Sequence, residues 1–282
     1  MRPGHSAVWV GITAAALMAS TGCGTQAAQG AAEGTAEVVD DSAAILAALT
    51  RAGDRTEDLG SAEVRMTTDL GTGQPVAMDG VYSWGGGYAF DVRMDTAAAQ
   101  LQTLQDSPKT RMLFVDGAYY YDVDPQPAGP LAGKEWMKVD ASAFFGEKGA
   151  QAFAGSGSGS PAASMRSLKY ADDVDDLGKE TVDGRSTTHY RAVVDKSRMG
   201  KFKDAYTDDD TLFNSVTGST ETITMDIWVG DKDLPVRLKQ TAGKVTVTMD
   251  FEKFGETAAV KAPPAAQTGD LTEVIEEAGA AQ

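Results

Sequence analysis

The sequence predicts an α+β fold in which one large antiparallel sheet carries a few helices. Three observations lead there. Apolar and polar residues alternate with period two in many short segments, and most connections between those segments are too short for parallel crossovers. Stretches of helical spacing are few and short.

The first such stretch is residues 41–51 (DSAAILAALTR), where Ala44, Ile45, Ala48 and Leu49 share one helical face and Asp40 or Asp41 is placed to cap the start. This short amphipathic helix needs a sheet to cover. From Ser61 the period changes to two, with Ala62, Val64, Met66, Thr68 and Leu70 alternating with Glu63, Arg65, Thr67 and Asp69. The rhythm returns in residues 76–84 and 88–94, joined as a hairpin through Gly85-Gly86-Gly87. Further strands are expected at 111–115, 118–123 and 136–139, the first two meeting at Asp116-Gly117.

The middle of the chain differs in composition. Residues 141–153 read as helical, 155–160 (GSGSGS) as flexible, and 161–170 as a second helix that begins at proline. An internal loop is preferred to a domain boundary, because neither half alone carries enough strands for a covered sheet. Strand alternation resumes at Lys179 and continues in 186–194, 222–229, 236–241 and 244–251. Asp172, Asp173, Asp175 and Asp176 lack the terminal Glu of a calcium loop and read as a solvated turn.

The N-terminus has the layout of a secretory signal: Arg2, the apolar run 7–19 (AVWVGITAAALMA), then small residues. The run falls short of the about 20 apolar residues that a permanent bilayer span requires. Thr21-Gly22 leads into Cys23, the sole cysteine of 282 residues, which therefore has no internal disulfide partner. The segment resembles a bacterial lipobox, although Ser20 stands where an aliphatic residue is commoner. The resemblance implies cleavage after Gly22 and an acyl anchor on Cys23, with each buried CH₂ worth ~0.8 kcal/mol of membrane affinity. The expected organisation is a signal over 1–22, a lipidated Cys23 with a flexible tether over 23–39, a sheet domain over 40–266, and a tail over 267–282 with a short helix.

The whole chain has 25 Lys+Arg against 41 Asp+Glu, so loss of Arg2 leaves 24 minus 41, or −17. Such a surface repels phosphate backbones, which argues against nucleic-acid binding. It argues equally against docking onto anionic lipid through a basic patch.

The segments VDGRSTTHYRAVVD (182–195), MDIWVGDKDLPVRLKQ (225–240) and TMDFEKFGETAAVKAPPA (248–265) are similar to the LppX/LprAFG-type lipoproteins of actinobacteria. GKEWMKVD (133–140) and MRSLKYADDVDDLG (165–178) fit in the same order, so the resemblance covers most of 40–266. It implies a LolA-like fold: a single curved antiparallel sheet, or half-open β-barrel, with helices packed on its concave face around an apolar cavity. The Gly/Ser stretch 155–160 and the acidic stretch 207–210 (TDDD) fall where loops would approach the cavity mouth.

Enzymatic chemistry is poorly supplied. His189 is the one histidine beyond the signal, no G-x-S-x-G elbow accompanies it, and its neighbours Thr188 and Tyr190 sit in a strand. A satisfied or exposed strand histidine is the expectation, and no metal or cofactor is expected. Gly85-Gly86-Gly87 lacks the lysine and helix of a phosphate loop. The positive signal is apolar. Val64, Met66, Met78, Tyr82, Phe90, Met94, Met112, Phe114, Met225, Ile227, Met249 and Phe251 fall on expected strands, mostly on the apolar face. Methionine suits a wall that must fit chains of varied shape, and it also serves as filler in an ordinary core. The resemblance favours the wall. The expectation is a non-enzymatic carrier of a lipid or other apolar molecule at the extracytoplasmic face of the cell membrane, with an envelope transporter or acceptor protein as partner. The alternative is a surface module for protein–protein interaction without a lipid-sized cavity.

Overall fold

The structure is a computed structural model that describes residues 35–71, 75–143, 146, 147, 150, 161, 165, 173–195, 222–255 and 257–280. Its frame is a 12-stranded sheet made of two meanders. The first runs outward through β1 (Ser61–Asp69), β2 (Val76–Ser83), β3 (Ala89–Asp95), β4 (Lys109–Val115), β5 (Ala118–Asp122) and β6 (Trp136–Asp140). The second starts at the opposite edge and runs inward through β7 (Asp173–Val182), β8 (Arg185–Asp195), β9 (Thr222–Val229), β10 (Pro235–Ala242) and β11 (Val245–Phe254). The halves meet where β1 pairs antiparallel with β11. β12 (Thr268–Asp270) adds to β6 in parallel, and β12 and β7 form two separate edges, so the sheet does not close.

Local chemistry explains the turns. Asp116-Gly117 and Asp183-Gly184 have positive φ at both positions, the type I′ requirement that Asp-Gly meets, and they join β4 to β5 and β7 to β8. Gly80 has a different role. A Cβ there would stand 2.1 Å from the Asp91 carbonyl oxygen and 2.8 Å from the Val92 Cα, because β2 and β3 approach closely. Gly80→Ala is therefore expected to destabilise the fold by about 1–3 kcal/mol, read as a lower urea midpoint at unchanged slope.

The first helix, α1 (Thr35–Leu59), is longer at both ends than the expected 41–51. Asp40 and Asp41 lie within it instead of capping it, and residues 35–39 of the expected tether are helical. The apolar stripe continues through buried Ala52 and Thr56, small residues that carry little hydrophobic signal. Leu49 and Ala52 pack on the main core, and the Trp84 Nε1–H donates to the Thr56 carbonyl at 3.1 Å. Gly60, at φ 68, ends the helix.

The acidic segment expected as a turn before Lys179 is strand from Asp173, with a register shift between Asp176 and Gly178. Its carboxylates line an edge strand, where charge discourages pairing with other chains. Residues 267–282, expected as a tail, supply β12 and the expected short helix, α2 (Thr272–Ala280). The Asp270 carboxylate accepts from the Thr272 N–H and hydroxyl at 2.9 and 2.6 Å, and Lys138 donates to Asp270 at 2.8 Å. Leu271 and Ile275 then pack against Leu101, Val123, Leu131, Met137 and Val139. Cys23, residues 155–160 and residues 207–210 lie outside the described residues, as does most of the two helices expected over 141–170.

Candidate apolar binding face

Strand register arranges the inward side chains of the sheet into rows that run across it. One row is aromatic: Tyr119 lies opposite Phe114, Phe114 opposite Phe90, and Phe90 opposite Tyr82. Their ring centroids are 4.8, 5.7 and 5.2 Å apart in turn, within the range of favourable aromatic pairing. The next row carries Tyr121, Met112, Val92, Gly80, Val64 and Phe251. A third is a methionine ladder, Met94, Met78, Met66 and Met249, continued by Leu238, Ile227 and Tyr190. The fourth runs Val76, Thr68, Val247, Gln240, Met225 and Ala192.

All twelve apolar residues singled out from the sequence belong to these rows and to one continuous cluster, none more than 8% exposed. The named rows contain no Asp, Glu, Lys or Arg. Burial pushes the Tyr82 and Tyr121 hydroxyls far above the ordinary phenol value, and the Tyr82 hydroxyl lies 3.8 Å from the Met66 sulfur, a weak acceptor. Sequence reasoning placed Thr68 on the apolar face but gave it no role, and it passed over Gln240; a polar residue within a period-two apolar face was the available signal.

The outward face holds the polar group around His189. His189 Nδ1 lies 2.9 Å from Glu180 Oε1, and Nε2 lies 2.8 Å from Asp226 Oδ1. Arg191 Nε donates to the same Asp226 oxygen at 2.7 Å, and Trp228 Nε1 donates to Glu180 Oε2 at 2.7 Å while its ring stacks 4.1 Å from the imidazole. Both imidazole nitrogens are engaged by carboxylates, so neither is open to a substrate proton. The cluster clamps β7, β8 and β9, and of the two forms of strand histidine expected, satisfied or exposed, His189 is the satisfied one. Hydrogen bonds from Trp228, then from His189, hold the Glu180 carboxyl below its ordinary range. A carboxyl lowered on folding contributes stability that is present above its unfolded pKa and lost as pH falls through the folded value. Melting temperature is therefore expected to fall on acidification below the carboxylate range, and Glu180→Gln to reduce that dependence. Among the described residues, no group of three His, Cys, Asp or Glu side chains is arranged to hold a metal.

An unclosed, mostly antiparallel sheet with an apolar inner face and helices against it is the half-open barrel architecture expected from the sequence. In sequence, the chain is 26% identical over 242 residues to a putative lipoprotein of Streptomyces coelicolor, spanning 82% of this chain and 77% of the relative. It is also 26% identical over 251 residues to an uncharacterized protein of Streptomyces griseus, spanning 83% and 82% of the two chains. No protein-family model matches. Among solved structures, LppX of Mycobacterium tuberculosis aligns at 14% identity and TM-score 0.49, over 78% of this chain and 99% of that one. LprF of Mycobacterium bovis aligns at 13% and 0.48, over 79% and 98%. In sequence the chain is thus similar to a Streptomyces protein described as a putative lipoprotein.

Proposed function

We propose that this protein is a non-enzymatic envelope lipoprotein, anchored through an acylated Cys23, whose concave face binds a lipid or other apolar molecule. The observation that carries the reading is the set of uncharged rows facing one side of an unclosed sheet, with a methionine ladder across four adjacent strands. Flexible, polarisable thioethers fit acyl chains of differing length and kink. Among the described residues no helix is long and apolar enough to cross a membrane, and an acyl anchor would supply attachment by other means. Similarity to a putative lipoprotein supports the anchor.

Two measurements test this reading. Cys23→Ser is expected to move the chain from the membrane fraction to the soluble fraction of the native host. Organic extraction of that full-length soluble variant, followed by mass spectrometry, is expected to release lipid, and Val64→Trp, which puts a large ring beside Gly80 on the inner face, to lower the yield several-fold. Absence of extractable lipid together with indifference to Val64→Trp would overturn the carrier reading.

A second reading, a protein-interaction module, draws on the β7–β8 edge, where Leu177 and Val193 are 44% and 43% exposed. It predicts that Leu177→Lys disturbs function while Val64→Trp does not.

A further inference from the structure

Among the described residues of the apolar inner face, Thr68 Oγ1 and Gln240 Nε2 are buried without a hydrogen-bond partner. Thr68 is 4% exposed and Gln240 is 6% exposed. They belong to the same inward row, one on each side of Val247, on β1 and β10 with β11 between them. Two strand spacings, about 10 Å, separate their backbones, and the longer Gln side chain shortens the gap between the polar ends. A polar group buried without a partner carries its full desolvation cost. Three other buried threonine hydroxyls avoid that cost: Thr56 donates to the Ala52 carbonyl, Thr110 to the Asp122 carbonyl and Thr187 to the Glu180 carbonyl. Thr110 faces inward as well, opposite Met94, and is satisfied there; Thr68 and Gln240 are not.

We infer that Thr68 and Gln240 form a polar recognition point for an uncharged hydrogen-bond acceptor of the bound molecule, with an acyl ester carbonyl as the chemistry that fits. The inference rests on the carrier reading and extends it by naming which part of the ligand is read and where. An amide N–H and a hydroxyl can both donate, and a carbonyl oxygen has two lone pairs to receive them. A carboxylate or phosphate in that place would be a buried charge needing a cation. The basic side chains of these strands serve the other face: Arg65 pairs with Glu252 and Arg237 pairs with Asp250. Position along the face agrees. The aromatic row lies at one end, the methionine ladder in the middle, and the Thr68–Gln240 row beyond the ladder, next to the final inward row of Ala242, Val245 and Ile223. A molecule with apolar tails among the rings and thioethers would bring its ester linkage to this row.

The test uses the full-length Cys23→Ser chain and an apolar naphthylamine dye as reporter. Dye is displaced by dioleoylglycerol, which has ester carbonyls, or by the matched dialkyl ether of glycerol, which has none. Two net hydrogen bonds predict that the parent prefers the ester by about tenfold. In the double variant Thr68→Val/Gln240→Leu the ester-to-ether preference, each displacement referred to that variant's own dye affinity, is expected to collapse towards unity. Because that variant replaces unpartnered polar groups by apolar ones of similar size, it is expected to melt at or above the parent temperature. Equal displacement by ester and ether in the parent, or a preference that survives the double substitution, would overturn the recognition point while leaving the carrier reading standing. Failure of the dye and both lipids to bind the parent would remove the carrier reading and this inference with it. Should the double variant not fold, the ester-to-ether ratio in the parent still decides.

Discussion

Phe114→Ala is expected to destabilise the protein by about 3–5 kcal/mol, measured by urea denaturation. The ring is fully buried and stands between two aromatic neighbours on adjacent strands, Phe90 at 5.7 Å and Tyr119 at 4.8 Å, with Tyr88 at 5.8 Å. Removing it takes away apolar burial and two cross-strand ring pairs, in a row fixed by the β3–β4–β5 register. The residues on either side are held by sheet hydrogen bonds, so the void cannot close by backbone movement. A loss below about 1 kcal/mol would mean that the aromatic row is not packed as described.

The second large effect is expected on the other face. Asp226→Ala removes a buried carboxylate that serves His189 and Arg191 together and leaves the Arg191 guanidinium and the imidazole without it. The expected loss is about 3 kcal/mol, at the lower end for a broken buried pair because Arg191 is partly exposed. The double variant Asp226→Leu/His189→Leu is expected to regain much of that loss, since a buried charge network replaced by apolar groups of similar size is often neutral. A single variant as stable as the parent would show that the cluster contributes nothing to holding β8 against β9.

The parts of this protein that were legible in the sequence are those governed by period two. β9 has the expected limits, 222–229, because Ile223, Met225, Ile227 and Val229 alternate without interruption and are all buried. The twelve inward residues were legible for the same reason. The misses have physical causes. β12 is three residues long and includes a glycine whose Cβ would stand 2.4 Å from the Pro130 carbonyl oxygen, so it forms by close approach and parallel pairing with β6, not through any pattern of its own. β7 begins among aspartates that lie along an edge, where polar residues suit a strand as well as a turn. The helix was underestimated because its continuation buries alanine and threonine. The placing of Thr68 and Gln240 in one row, and the pairing of His189 with Glu180 and Asp226, depend on strand order, which periodicity does not encode.

The meeting of β1 with β11 has a consequence for how the chain is made. The first long strand to leave the ribosome is bordered on one side by the last, so its second hydrogen-bonded edge stays open until residue 254 has been synthesised. Contacts this distant in sequence form slowly, because a long loop must close before they are rewarded. A chain built this way cannot complete its central seam prematurely, and it remains threadable for most of its synthesis. Truncation before Val245 would leave β1 as an unprotected edge and is expected to give an aggregating product, in contrast to loss of α2, which borders the sheet at its far end.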